Sequence, residues 1–150
     1  CRASVGDSAR GGTEVSELDR NLHVVVLMGG WSSEREVSLM SGRGVAQALR
    51  ERGWTRVTEL DMDRDVATRL AALKPDVVFN ALHGHPGEDG TVQGMLDLMG
   101  IPYTHSGLST SAIAIDKELT KLLLVPAGVR MPKGTMVRSE TLHERDPLPR

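Results

Sequence analysis

The sequence predicts an α/β fold in which a small parallel sheet is doubly wound, with helices on both of its faces. Apolar runs that have the length of buried strands alternate with segments of helical period, and the connections between them are short. Such alternation makes successive strands parallel and packs the intervening helices against the sheet. The 150 residues are enough for one domain of this kind and too few for two.

Three strands and five helices are expected from the pattern. The strands cover 22–28, 56–61 and 76–82, and a short extended piece at 101–104 would complete a sheet of four. The third strand is near-continuously apolar, which is typical of a strand covered on both faces. The first helix runs from Glu36 to a stop at Gly53, and the others are expected at about 64–73, 91–99, 107–115 and 116–125.

The side chains that should build the core follow from periodicity. Apolar or small residues recur along the first helix at Val37, Met40, Ser41, Gly44, Val45, Ala48 and Leu49. Inward positions of the next two helices are Val66, Leu70 and Leu73, and Val92, Met95, Leu96 and Met99. The methionines Met28, Met40, Met95 and Met99 are interpreted as core filling.

Composition excludes several classes of function. With 18 basic and 20 acidic residues, the net charge of −2 gives no electrostatic footprint for nucleic acid or an anionic membrane. No apolar run approaches the roughly 18 to 20 residues that span a bilayer. The single cysteine, Cys1, allows no internal disulfide, which fits a reducing compartment. Residues 1–21 are polar and lack an apolar period, so a disordered extension is expected there.

The first candidate site is the loop GGWSSERE at residues 29–36, hereafter the first loop, which follows a buried strand and opens a helix. Ligands of open α/β folds bind at the edge of the sheet where the carboxyl ends of the parallel strands lie. Two interpretations remain open. The glycines, Ser33 and Glu36 would make only a tight turn and a capping box. Alternatively, Glu34 accepts hydrogen bonds from a ligand ammonium, and the helix N-terminus helps hold a carboxylate.

The second candidate site is the loop HGHPGEDG at residues 83–90, hereafter the second loop, which follows the third strand. It should lie at the same sheet edge as the first loop. His83 could be a satisfied structural residue, and Glu88 and Asp89 could be helix-start charges favoured by the dipole. The spacing of the histidines and carboxylates matches no standard zinc pattern, so no metal ligand is assigned.

The pair Asp116-Lys117 lies at an expected helix start. A lysine is unfavourable there for the helix dipole, so it either is a surface lysine or meets a phosphate.

Three segments together resemble the amino-terminal region of bacterial D-alanine–D-alanine ligases, which belong to the ATP-grasp superfamily. They are GGWSSEREVSLMSG, FNALHGHPGEDGTVQGMLDLMGIPYTHSG and SAIAIDKELTKLLLVPAGVRMPKG, and the match runs from about Leu22 to Gly134. The resemblance implies a Rossmann-like pre-ATP-grasp substrate domain at 22–115 and the start of the ATP-grasp central domain at 116–150.

The resemblance also implies residue roles. Glu34 would bind the ammonium of the first D-alanine, Val37 would line that subsite, and His83 would lie near the carboxylate. Glu88 would belong to a supporting polar network, and Lys117 would contact ATP phosphates. Glu34 and His83 are therefore the catalytic candidates. A buried carboxylate suits an ammonium, and a lysine suits a phosphoryl oxygen.

The activity implied is the ATP-dependent joining of two D-alanines through an acyl phosphate, for peptidoglycan synthesis. The resemblance implies ATP and Mg²⁺ as cofactors, with the metal ligands expected beyond residue 150. It further implies a cytoplasmic homodimer, without nucleic-acid or membrane partners. By itself the chain is expected not to make dipeptide. The alternatives are a non-catalytic module that binds a small ligand, and a truncated remnant.

Overall fold

A three-stranded parallel sheet lies at the centre of the part of the chain that the structure describes. The computed structural model describes residues 19–134. The strands are β1 (Val24–Gly29), β2 (Val57–Met62) and β3 (Val77–Asn80), in the order β2-β1-β3. The chain therefore crosses from β1 to one neighbour and then to the other, which confirms the doubly wound parallel sheet. All six residues of β1 are buried, as expected for a central strand.

Helices cover both faces of this sheet. Those on the sheet are α1 (Arg35–Glu51), α2 (Val66–Leu73) and α3 (Thr91–Met99), and α4 (Leu108–Ile115) and α5 (Lys117–Leu124) follow them in the chain. Because side chains alternate along a strand, β1 feeds two separate cores. One core joins Val24, Val26 and Met28 to α1. The other joins Val25 and Leu27 to α2 and α3.

The predicted inner faces of α2 and α3 are confirmed, whereas that of α1 is wrong in part. Val37 and Met40 are 45% and 68% exposed, and the buried positions of α1 are Ser38, Leu39, Gly42 and Ala46. The reason is close packing on the sheet. A β-carbon on Gly42 would lie 2.6 Å from Met28 Cβ, so small residues let α1 approach β1.

The expected fourth strand is reduced to a single bridge between Val78 and Tyr103. Val78 N–H donates to Pro102 O at 2.8 Å, and Thr104 N–H donates to Val78 O at 3.1 Å. The next donor of β3, Asn80 N–H, is taken by the Thr104 hydroxyl at 3.0 Å, which ends the ladder. β3 itself stops at Asn80, earlier than predicted, because Asn80 Oδ1 accepts from Leu82 N–H at 3.1 Å.

The pair α4 and α5 lies after the sheet, joined at Asp116 as the sequence predicts. The Asp116 carboxylate accepts from the N–H groups of Glu118 and Leu119, both at 3.0 Å, and so caps α5. No residue of α5 is buried. The predicted boundary between 115 and 116 stays a prediction, and most of the expected extension at 1–21, including Cys1, lies outside the described residues. Within 19–134 no helix is long and apolar enough to cross a membrane.

Candidate functional site

The carboxyl ends of β1 and β3 bring the first and second loops together, as parallel pairing requires. The link is a buried hydroxyl. Ser38 Oγ accepts from Gly29 N–H at 2.8 Å and donates to Ala81 O at 2.8 Å. Its side chain is 0% exposed. One serine of α1 therefore joins the end of β1 to the segment that leads into the second loop.

A second serine connects the loops nearer to the surface. Ser32 Oγ donates to His83 O at 2.8 Å and accepts from Glu34 N–H at 3.0 Å. This contact places Glu34 against the second loop, where a β-carbon on Gly84 would lie 2.9 Å from Glu34 Oε2. Gly84 has a φ of +65°, so glycine suits both its backbone and the space beside the carboxylate.

The His83 imidazole lies between α1 and the carboxylate of Glu88 in the second loop. Its Nε2 is 3.4 Å from Ser41 Oγ of α1, and its Nδ1 is 3.9 Å from Glu88 Oε1. The other oxygen of Glu88 accepts from Gly84 N–H at 2.9 Å. The imidazole is 34% exposed and thus open to a ligand. Glu34, His83 and Glu88 are therefore brought to one place, with Gly84 between them.

The second loop is held from beneath by amide side chains. Asn80 Nδ2 and Gln93 Nε2 both donate to Gly87 O, at 2.9 and 2.8 Å. At the end of the loop, Asp89 pairs with His85 and accepts from Thr91 N–H at 3.0 Å. Burial alone would raise the pKa of the Asp89 carboxyl, but these hydrogen bonds outweigh it and hold the pKa below its usual value. The loop therefore has a fixed path.

The first loop is held by an ion pair. Arg35 Nη1 and Nη2 donate to Asp61 Oδ1 and Oδ2 at 2.7 and 2.6 Å. The hydrogen bond from Arg35 keeps the pKa of Asp61 below its usual value, against the opposing effect of partial burial, and the same bond raises the pKa of Arg35. Arg35, the first residue of α1, is thus paired with a carboxylate near the end of β2.

A cavity of about 340 Å³ opens beside the second loop. Its polar wall includes Glu88, His105 and Ser106. The Gln93 side chain, 1% exposed, also lines it, and Gln93 Oε1 has no hydrogen-bond partner among the described residues. The cavity has room for a small polar ligand.

The remaining predicted residues lie on helix starts. Val37, on the first turn of α1, presents an apolar surface that is 45% exposed. Lys117 is the first residue of α5 and is exposed. Within 19–134 no hydrogen bond or ion pair joins Lys117 to the two loops, and no group of three potential ligands is placed to hold a metal ion.

Two expectations for the first loop are wrong. The capping box is wrong, because α1 has Glu34 as its N-cap residue and makes no side-chain cap bond. The hydroxyl that meets a backbone donor belongs to Ser32, which turns towards the second loop. Glu34 is exposed, whereas a buried carboxylate is expected from the sequence as the partner of an ammonium. The sequence pattern does not single out Ser32 and Ser38, whose hydroxyls tie the loops together.

Comparison with known proteins supports the family resemblance. Residues 56–106 match the family model described as the D-ala D-ala ligase N-terminus. The chain is 77% identical over 128 residues to a D-alanine–D-alanine ligase of Sphingopyxis alaskensis, covering 85% of this chain and 41% of that protein. It is 73% identical over 133 residues to the ligase of Erythrobacter litoralis, covering 89% and 41%. The chain thus spans about two fifths of these relatives.

Solved structures agree with the fold. A D-alanine–D-alanine ligase from Bacillus anthracis, complexed with ATP, superposes with a TM-score of 0.67 at 36% identity, over 75% of this chain and 39% of that one. D-alanyl-alanine synthetase A from Vibrio cholerae gives a TM-score of 0.63 at 26% identity, over 73% and 38%.

Proposed function

Because this chain belongs to the D-alanine–D-alanine ligase family and corresponds to its amino-terminal portion, we propose that it supplies the subsite for the first D-alanine. The reaction served is the ATP-dependent joining of two D-alanines into a dipeptide for peptidoglycan synthesis. The observation that carries this proposal is the placement of the Glu34 carboxylate beside Gly84 of the second loop. His83, the residue before Gly84, is joined to the first loop through the Ser32 hydroxyl.

These two groups suit the two charged ends of an amino acid. A carboxylate binds an ammonium through charge-assisted hydrogen bonds, and an imidazole N–H donates to a carboxylate oxygen. Glu34 is the partner proposed for the ammonium, and His83 is the partner proposed for the carboxylate. Glu88 supports the arrangement through its contacts with His83 and Gly84. The exposed face of Val37 provides an apolar surface for the methyl group.

The chemistry proposed for the complete ligase proceeds in two steps. A carboxylate oxygen of the first D-alanine attacks the γ-phosphorus of ATP, giving an acyl phosphate and ADP. The amine of the second D-alanine then attacks the acyl carbon, and inorganic phosphate leaves with the bonding electrons. In this scheme Glu34 and His83 orient the first D-alanine, which favours the reaction through positioning.

The contribution to ATP binding is proposed to be a single contact. Lys117 is an exposed point charge at the start of α5, which suits a phosphate oxygen. Magnesium would neutralise phosphate charge when bound, but residues 19–134 offer no group of ligands for it. Its ligands are expected elsewhere in the ligase. A cytoplasmic location and a homodimer complete the proposal, and both rest on the family relationship.

Calorimetry with D-alanine tests the subsite directly. We expect the wild-type chain to bind D-alanine and Glu34→Gln to bind it about tenfold or more weakly, because a charge-assisted hydrogen bond contributes about 1.5–3 kcal/mol. Glu36→Gln is the matched control. Glu36 is exposed and lies two residues after Glu34, in the first turn of α1. Glu36→Gln should therefore bind D-alanine with the affinity of the wild type.

The outcome separates the possible functions. Equal affinities for Glu34→Gln and the wild type would remove Glu34 from the subsite. No binding by the wild type would mean that this chain lacks a formed subsite, as expected of a truncated remnant. Binding of D-alanine by a longer chain that neither consumes ATP nor forms dipeptide would favour a non-catalytic binding module.

A further inference from the structure

We propose that Arg35 and Asp61 form a positioning clamp that fixes the first loop and thereby places the Glu34 carboxylate for D-alanine. The inference rests on the proposed function and deepens it. Neither residue contacts the ligand in this scheme. They act through the backbone between the end of β1 and the start of α1.

The clamp contacts both backbone polar groups of Gly30, its N–H and its carbonyl oxygen. Arg35 Nη1 donates to Gly30 O at 2.9 Å while it also donates to Asp61 Oδ1 at 2.7 Å. Gly30 N–H in turn points to Asp61 Oδ1 at 3.4 Å. Both polar groups of one residue are therefore held by the two members of a single ion pair.

The backbone at this place needs external support. Gly29 and Gly30 have φ values of +77° and +79°, a region that glycine adopts readily but in which it gains no local stabilisation. A β-carbon on Gly29 would collide with Asp61 Oδ1, so the carboxylate lies directly against the loop. Asp61 belongs to β2, opposite Met28 in the parallel register, and is thus fixed by the sheet.

The effect reaches Glu34 because Glu34 immediately precedes Arg35. Among the described residues, Glu34 N–H donates to Ser32 Oγ, Glu34 O accepts from Ser38 N–H at 3.0 Å, and the Glu34 carboxylate takes part in no ion pair. The orientation of that carboxylate then depends on the chain path from Gly30 to Arg35. A fixed path spares the ordering of the loop when an ammonium binds, which raises affinity without a new contact.

A second arginine–carboxylate pair on the same elements provides a matched control. Arg50, in the last turn of α1, donates to Glu59 of β2 at 2.7 Å. Its side chains are 48% and 30% exposed, against 40% and 45% for Arg35 and Asp61. Exposed pairs of this kind contribute little to overall stability. The two pairs differ chiefly in that the Arg35–Asp61 pair contacts Gly30 of the first loop, whereas the Arg50–Glu59 pair does not.

The experiment compares Arg35→Gln, Asp61→Asn, their double variant and Arg50→Gln in the full 150-residue chain. D-alanine affinity is measured by calorimetry and stability by urea unfolding. We expect both single clamp variants to bind D-alanine about threefold to tenfold more weakly, from lost preorganisation. The double variant should be no weaker than either single one, because the two residues act as a unit. Arg50→Gln should keep wild-type affinity.

Hydrogen exchange of the free chain gives a readout that does not depend on binding. Arg35→Gln should speed amide exchange in the segment 29–34, whereas Arg50→Gln should leave that segment unchanged. If the wild type fails to bind D-alanine, the proposed subsite fails, and exchange alone decides whether the clamp fixes the loop. Unchanged exchange in Arg35→Gln overturns the inference. Equal affinities of Arg35→Gln and Arg50→Gln also overturn it.

Discussion

Replacing Ser38 by alanine should destabilise the chain more than its small volume change suggests. The variant removes one hydroxyl that serves two buried backbone groups, Gly29 N–H and Ala81 O, each at 2.8 Å. A buried polar group left without a partner costs about 1–3 kcal/mol. Alanine leaves almost no cavity, so the two lost bonds dominate. We expect a loss of roughly 2–4 kcal/mol in the free energy of unfolding.

Urea unfolding followed by far-ultraviolet circular dichroism measures this loss. With a slope of about 2 kcal/mol per molar urea, the midpoint should fall by roughly 1–2 M. Ser33→Ala is the control, because Ser33 is an exposed serine of the first loop. The free energy of unfolding of this variant should stay within about 0.5 kcal/mol of the wild type. If Ser38→Ala matches Ser33→Ala, the hydroxyl does not support the link between the loops, and the reasoning is refuted.

Three further predictions follow from other features. Gly42→Ala should destabilise the chain by about 1–3 kcal/mol, because the new β-carbon would lie 2.6 Å from Met28 Cβ. Gly44→Ala should stabilise it by about 0.5–1 kcal/mol, because a β-carbon there would have no atom within 4 Å and alanine favours a helix. Thermal unfolding of both variants checks the opposite signs. The pKa of Asp61 is lowered in the folded state, so its contribution to stability is present above the usual carboxyl pKa of about 3.9 and disappears as pH falls through the lower folded value. In acid unfolding experiments, the stabilities of the wild type and Asp61→Asn should therefore converge as the pH falls. The 150-residue chain with ATP, Mg²⁺ and D-alanine should release no phosphate above the background of Glu34→Gln, and a clear excess in a coupled phosphate assay would contradict this.

The sheet and the meeting of the two loops could be predicted from the sequence because both depend on patterns that repeat. Val77, Val78 and Phe79 form an apolar run of strand length, and parallel pairing brings all strand ends to one edge. The same rule predicts that His83 lies near Glu34. Both residues follow strands that are neighbours in the sheet, because β1 pairs with β3 in parallel.

The inner face of α1 could not be predicted in the same way. The pattern favoured Val37 and Met40, which are apolar, over Ser38 and Gly42, which are small or polar. Burial there depends on how closely the helix approaches β1 and on which backbone groups need a partner. Ser38 lies one turn before Gly42 on the buried side of α1. The role of its hydroxyl becomes clear only from the positions of Gly29 N–H and Ala81 O, which are its partners.

Arg35 illustrates a second limit. A charge in the first turn of a helix is usually solvated, and the sequence holds no mark that joins it to Asp61, which is 26 positions away. The pair forms because the register sets Asp61 beside the end of β1. Contacts between residues distant in sequence follow from the assembled sheet, whereas a local pattern describes only the helix itself.

The loop contacts made by the two serines have a consequence for how the sequence can change. Ser32 and Ser38 donate to the backbone oxygens of His83 and Ala81, and Ser38 also accepts from a backbone N–H. The partner atoms are present whatever side chains those positions carry. Evolution could therefore alter the residue at position 81 while the connection persists, but it could not lose either hydroxyl. In an alignment of relatives, we expect substitutions to be tolerated at position 81 far more than at positions 32 and 38.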